Sequence, residues 1–208
     1  MAPGIAVSMK PMEPAEDQFS RPALELAPNL LGARMVSTLH GQRVEGTIVE
    51  TEAYHEDDPA SHSYNGVTPR CRPMFGPPGH WYIYRCYGIH WMANVVCGKP
   101  GNGQAVLLRA IRPEHGIDVM ESRRGQTDSQ LTNGPGKLAE ALGITDDING
   151  DPISPDTGIY LLSPVETQTI YQSPRVGIEQ GTKRPWRFFW DTRYRSQVKE
   201  NDAARRRD

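Results

Sequence analysis

Cysteine is scarce in this sequence, three in 208 residues. An odd count without close spacing excludes a disulfide-stapled secreted scaffold and fits a reducing compartment. No apolar run approaches the roughly 20 residues that a membrane-crossing helix needs, which excludes a helical channel. Met1 to Pro22 lacks the continuous apolar stretch of a secretory signal, so a cytoplasmic protein is expected. CxxC and HExxH spacings are missing as well, and no metal site is expected. Gly134-Pro135-Gly136-Lys137 is only a fragment of a phosphate loop. It lacks the full pattern and a preceding apolar strand, which removes nucleotide hydrolysis. Net charge is small, −2 at neutral pH.

What is present argues for one folded domain. Hydrophobic residues are 37% and charged residues 23% of the chain, too apolar for wholesale disorder. Glycine and proline together are 38 of 208 residues, about 18% against roughly 12% in average usage. A loop-rich fold follows, not a helical bundle. The small net charge conceals blocks: −6 over residues 1–69, +5 over 70–124, −6 over 125–182 and +5 over 183–208. Two readings fit these blocks, solvated surface or two basic stretches meeting on one face as a polyanion footprint.

Along the chain, residues 1–20 lack periodicity and read as a flexible lead-in. Residues 21–200 form the domain, and the charged residues 201–208 form a tail. Leu24, Leu26, Leu30 and Leu31 anchor one or two short helices broken at Pro28. Met35–Leu39 and Glu45–Tyr54 read as strands. His55–Gly79 is a long ordered loop, and loops of that length inside a domain are usually functional. Trp81–Tyr84 and Trp91–Val96 are strands joined by a hairpin turn at Cys86-Tyr87-Gly88-Ile89. Gln104–Ile111 is a central strand. Helices are expected near Gly116–Arg124 and over Leu138–Leu142, the latter stopped by Gly143. Ile159–Leu162, Arg175–Ile178 and Arg187–Trp190 complete the strands. Strands dominate without regular helix alternation, so the fold class is α+β.

Chemistry concentrates in one region. In a strand, residues two apart share a face, so Glu50, Glu52 and Tyr54 line one side of Ile48–Tyr54. That is either a solvated edge or a carboxylate placed as general base beside a stacking ring. Eight of the sixteen aromatics and four of the six histidines fall within residues 54–91. The rings suit a planar heterocycle, or simply a β-rich core. Tyr87 at a hairpin tip, between Arg85 and His90, is either a wedge for a base stack or a ring folded back on its own protein.

These residues resemble a family. Glu50-Thr51-Glu52-Ala53-Tyr54, Ala60-Ser61-His62-Ser63, Thr68-Pro69-Arg70, Met74-Phe75-Gly76-Pro77-Pro78-Gly79-His80, Tyr82-Ile83-Tyr84, Tyr87-Gly88 and Asn94 are similar, in order, to the alkyladenine (3-methyladenine) DNA glycosylases. So are Val106-Leu107-Leu108-Arg109-Ala110, Gly134-Pro135-Gly136-Lys137-Leu138, Arg175-Val176-Gly177-Ile178 and Pro185-Trp186-Arg187-Phe188. The likeness runs from about Leu24 to Trp190.

The resemblance implies a single α+β domain around a curved antiparallel sheet with peripheral helices. It implies a monomer without cofactor that acts on double-stranded DNA containing damaged purines. By it, Glu52 is the general base that deprotonates a water, and Arg109 holds that water and a backbone phosphate. Tyr54, His62 and Tyr84 stack on the flipped base, Asn94 excludes the amino group of normal guanine, and Val176 also meets the substrate. Tyr87, with Ile89 beside it, enters the DNA groove. No pocket lysine suggests an amine nucleophile, so hydrolysis without strand cleavage is expected. Two positions depart from the family: Cys71, where asparagine is more usual, and Ile89, where methionine usually follows Tyr-Gly. The rival readings are a lesion-binding protein without catalysis and a metal-dependent hydrolase using His55, His62 or His80.

Overall fold

The computed structural model describes residues 10–13, 18–164, 166–196 and 205–206. Its elements are α1 (Ala23–Asn29), β1 (Arg34–Ser37), β2 (Val44–Tyr54), β3 (Trp81–Cys86), β4 (His90–Val96), β5 (Ala105–His115), α2 (Ile117–Arg124), α3 (Pro135–Leu142), β6 (Ile159–Leu162), β7 (Ile170–Ser173), β8 (Arg187–Trp190) and β9 (Arg205–Arg206). Among the described residues the nine strands form one curled antiparallel sheet in the order β3-β4-β5-β2-β8-β7-β9, with β1 paired to β2 and β6 paired to β1. This is the α+β architecture expected from the sequence.

The eleven-residue β2 organises the sheet. Its first half pairs with β1 and its second half, Glu50–Glu52, with β8. Its other edge carries β5, where the register breaks three times, once between Glu45 and Gly46 and twice beside the site: Ile48 faces Ile111, Glu50 faces Ala110 and Thr51 faces Leu108. Val49 and Arg109 are therefore each an extra residue without a partner opposite. Bulges of this kind bend a strand and re-aim its side chains. Here they put Ile48 and Val49 both into the core. Glu50 and Arg109 turn to the other face, where they meet.

The core lies between that sheet and the helices. α1 sits across β2, with the Thr51 hydroxyl donating to the Ala27 carbonyl at 2.8 Å. α3 buries Leu138, Ala139, Ala141 and Leu142 and ends at the left-handed Gly143. Trp81, Leu108, Ile111 and Trp190 fill the space between. Truncating a leucine such as Leu108 in this environment costs about 2–5 kcal/mol.

Several expectations change in detail. β1 stops at Ser37, because a 3-10 turn follows at Leu39–Gly41 and His40 takes a positive φ of 58°. Arg175–Ile178 is not a strand. Arg175 turns inward to Asp58, the Val176 N–H goes to a side chain, and Gly177 has φ 72°, so no ladder can run through. The strand is instead Ile170–Ser173, closed by Pro174. Within the expected lead-in over residues 1–20, Met12 and Phe19 are buried in the core, and Pro11 bridges to Leu162. Residues 1–9 and 14–17 lie outside the described residues, as does the expected tail apart from Arg205–Arg206.

Candidate active site

A cavity of about 500 Å³ opens where the ends of β2, β3, β4 and β5 meet the His55–Gly79 loop and the turn after Arg175. Tyr54, His62, Tyr84, Asn94, Arg109 and Val176 all line it. Tyr82 and Tyr84, two apart on β3, stack with centroids 5.4 Å apart, and the His62 ring meets Tyr84 edge-on at 4.6 Å.

Glu52 is fully buried. It is not itself a lining residue, but three that are hold it. Val176 N–H donates to Oε1 at 2.8 Å, Arg109 Nη1 lies 3.2 Å from the same oxygen, and the Tyr54 hydroxyl donates to Oε2 at 2.9 Å. Behind it, Glu50 Oε1 accepts from Arg109 Nε at 2.8 Å and from Arg187 Nε at 2.7 Å. The Ser196 N–H donates to the other Glu50 oxygen. The result is an alternating chain, Arg187–Glu50–Arg109–Glu52, through the sheet. Burial by itself would raise the Glu50 carboxyl, but Arg109 and Arg187 outweigh it and hold it below the ordinary range. Burial opposes the charge on Arg109, yet Glu52 and Glu50 keep its pKa raised, so it is a permanent cation at the cavity wall.

The rings titrate abnormally. Burial, then the neighbouring Glu52, pushes the Tyr54 phenol well up. Burial, then Cys86 and Glu52, pushes Tyr84 up to about 12. Tyr82 is raised too, mainly by burial. His62 is lowered to about 4, by burial and then by the Arg70 charge. His62 Nδ1 and the Tyr82 hydroxyl are 2.8 Å apart. The phenol is un-ionised and the imidazole neutral at pH 7, so this hydrogen bond joins two uncharged groups and the tautomer of His62 sets its direction. Asn94, at the cavity wall, donates its amide to the Tyr82 carbonyl at 3.0 Å, which fixes its orientation.

The Tyr87-Gly88 tip follows its sequence. Tyr87 has φ 50° and Gly88 φ 71°, the paired positive values of a type I′ hairpin turn, which favours glycine at its second position. Tyr87 is 88% and Ile89 66% exposed. Tyr87 reaches the cavity mouth; Ile89 instead lines a second hollow, with His90, Trp91 and Arg123.

Other residues at the site were given no role by the sequence. Met74, Met92 and Leu107 supply apolar wall, and Arg70 lies over Tyr84 at 5.3 Å. Met92 and Leu107 share the strand parity of Asn94 and Arg109, a signal that was available. Of the basic blocks, Arg109 and Arg187 are buried and paired with carboxylates, and Arg109 alone of the two lines the cavity. Among the described residues no three His, Cys, Asp or Glu side chains are grouped to hold a metal ion, and no helix is long and apolar enough to cross a membrane.

The chain is similar to known proteins over most of its length. The model of the methylpurine-DNA glycosylase family matches residues 17–194. A protein of Rhodopseudomonas palustris strain HaA2, provisionally named 3-methyladenine DNA glycosylase, is 49% identical over 172 residues, covering 82% of this chain and 83% of its own. Proteins given the same provisional name are similar in Agrobacterium fabrum (50% over 171 residues, 82% and 84% covered) and Nitrosospira multiformis (48% over 182 residues, 86% and 91% covered).

Proposed function

The chain belongs to the methylpurine-DNA glycosylase family, and on that premise we propose that it hydrolyses the N-glycosidic bond of alkylated or deaminated purines in duplex DNA after flipping the nucleotide out. The observation that carries this is the buried Glu52 carboxylate held at the wall of a ring-lined cavity by Tyr54, Arg109 and Val176.

A purine in a duplex must leave the stack before its glycosidic bond is reachable, and a wedge with a stacking pocket lowers that cost. Tyr87 is the wedge, with Ile89 against the duplex. Tyr54, His62 and Tyr84 receive the base, and the pinned Asn94 amide opposes an added exocyclic amino group. Glu52 takes a proton from water as the oxygen bonds to the anomeric carbon. The glycosidic electron pair departs with the purine, and an alkylated purine, cationic while attached, leaves neutral. Arg109 orients the water and meets a phosphate of the flipped nucleotide. Because three neighbours enclose Glu52, water reaches it only where one of them yields; Val176 offers a backbone N–H and Arg109 is tied to Glu50 as well, which leaves the Tyr54 hydroxyl as the one free to move. Among the described residues no lysine lines the cavity, which supports a monofunctional hydrolase. The protein acts as a cytoplasmic monomer, close to the nucleoid if its source is bacterial.

The test is base release from a panel of single-lesion duplexes, with and without excess chelator and with borohydride trapping. Release of at least one damaged purine, insensitive to chelator and without a covalent adduct, is expected. A borohydride-trapped complex would contradict the monofunctional reading.

A further inference from the structure

Behind Tyr54, on the side away from the cavity, lies a buried ion pair. Arg175 and Asp58 both have fully buried side chains. The guanidinium grips the carboxylate with two nitrogens, Nη2 donating to Oδ1 at 2.9 Å and Nη1 to Oδ2. Nη1 also donates to the Ala53 carbonyl at 3.0 Å. The guanidinium carbon is 4.6 Å from the Tyr54 ring centroid and 5.1 Å from that of Trp186. Tyr54 lines the cavity and Arg175 does not, so the cation occupies the ring face opposite the one a purine would stack on.

A cation on one face of a tyrosine draws on the same π electrons that would attract a second cation on the other. Its charge also acts directly: at about 8 Å and an effective dielectric of about 20, an unmatched guanidinium weakens binding of another cation roughly 30-fold. The other charges at the cavity are paired or screened by solvent. Arg109 is matched by Glu50 and Glu52, His62 is neutral at pH 7, and Arg70 and Glu179, which also line the cavity, are of opposite sign and exposed. Asp58 therefore decides whether the back of Tyr54 repels or tolerates a positively charged base.

Resting on the functional reading above, we propose that the Asp58–Arg175 pair is a specificity-determining element that keeps the back of Tyr54 electrically neutral, so that the cavity prefers a cationic purine to a neutral one of the same shape. Arg184 makes the pair separable. It lies over Trp186 at 4.5 Å, with Nη1 3.6 Å from Asp58, and retains a cation for the carboxylate when Arg175 is replaced.

The experiment compares two non-cleavable duplexes by fluorescence anisotropy. One carries 2′-fluoro-7-methylguanine, a cation; the other carries 7-methyl-7-deazaguanine, its neutral isostere. The readout is the ratio of their affinities. Asp58→Asn lowers the ratio by about 10- to 30-fold, Arg175→Gln raises it, and the double variant returns to within about threefold of wild type. A folded Asp58→Asn protein with the wild-type ratio overturns the proposal. So does a double variant no different from Asp58→Asn, since the loss would then be one of shape. If Asp58→Asn does not fold, Arg175→Gln decides alone, because a ratio that holds or falls overturns the proposal. A wild type that binds neither lesion better than undamaged duplex overturns the functional reading and the inference together, an outcome distinct from an unchanged ratio.

Discussion

The Tyr54 hydroxyl donates to Oε2 of Glu52 at 2.9 Å, which makes the ring offered to a purine and the carboxylate offered to water one unit. Both come from β2, two residues apart on one face, so the strand's own period sets their separation. Ring and hydroxyl are separable by substitution. Tyr54→Phe keeps lesion-duplex affinity within about threefold, whereas Tyr54→Ala loses about 1–3 kcal/mol of stacking. Equal losses in the two variants would mean that the hydroxyl, not the ring face, carries binding.

His62 is held down to about 4, so it remains neutral through the range in which an ordinary histidine gains its charge. Below about pH 6.5 the unfolded chain takes up a proton that the folded site refuses until about pH 4. Stability is therefore lost as pH falls across that window. Solvent on the exposed side of the ring keeps the effect below its full linkage value. An NMR titration of the ring should show a midpoint near 4, and a midpoint near 6.5 would contradict the burial assigned to it.

Glu50 is the anion shared by Arg109 and Arg187. Its carboxyl is held low in the folded state, so its stabilisation is present above the unfolded value near 4.5 and lost as pH falls through the depressed one. Glu50→Gln leaves two buried guanidinium groups without it and should cost about 3–5 kcal/mol in urea unfolding at pH 7. A cost under about 1 kcal/mol would show that the arginines find other partners.

Tyr87 is 88% exposed on a turn of its own, so Tyr87→Ala should leave unfolding free energy within about 0.5 kcal/mol of wild type. Affinity for a lesion duplex should fall roughly tenfold, with less effect on a lesion in single-stranded DNA, where no gap needs filling. Equal effects on the two substrates would remove the wedge role.

Much of this was legible in the chain. Two-residue alternation placed Glu50, Glu52 and Tyr54 on one face of β2, and Tyr-Gly marked the hairpin tip. Long-range pairing was not legible. That Arg109 is an extra residue in its ladder depends on a register break between strands more than fifty residues apart, which no local pattern encodes. Arg175 in an apolar-looking string read as strand because its partner, Asp58, sits in an unperiodic loop 117 residues away. The signal that remained was Gly177, a residue that readily takes a positive φ and interrupts a ladder.

The central claim concerns Glu52, and the single-turnover release of 7-methylguanine from duplex DNA by Glu52→Gln tests it most directly. Glutamine preserves size and keeps one oxygen to accept from Val176 and Arg109, but it cannot accept the proton. Base release should fall by about 100-fold or more while affinity for the lesion duplex stays within about threefold. A Glu52→Gln protein that releases the base at the wild-type rate would contradict the account.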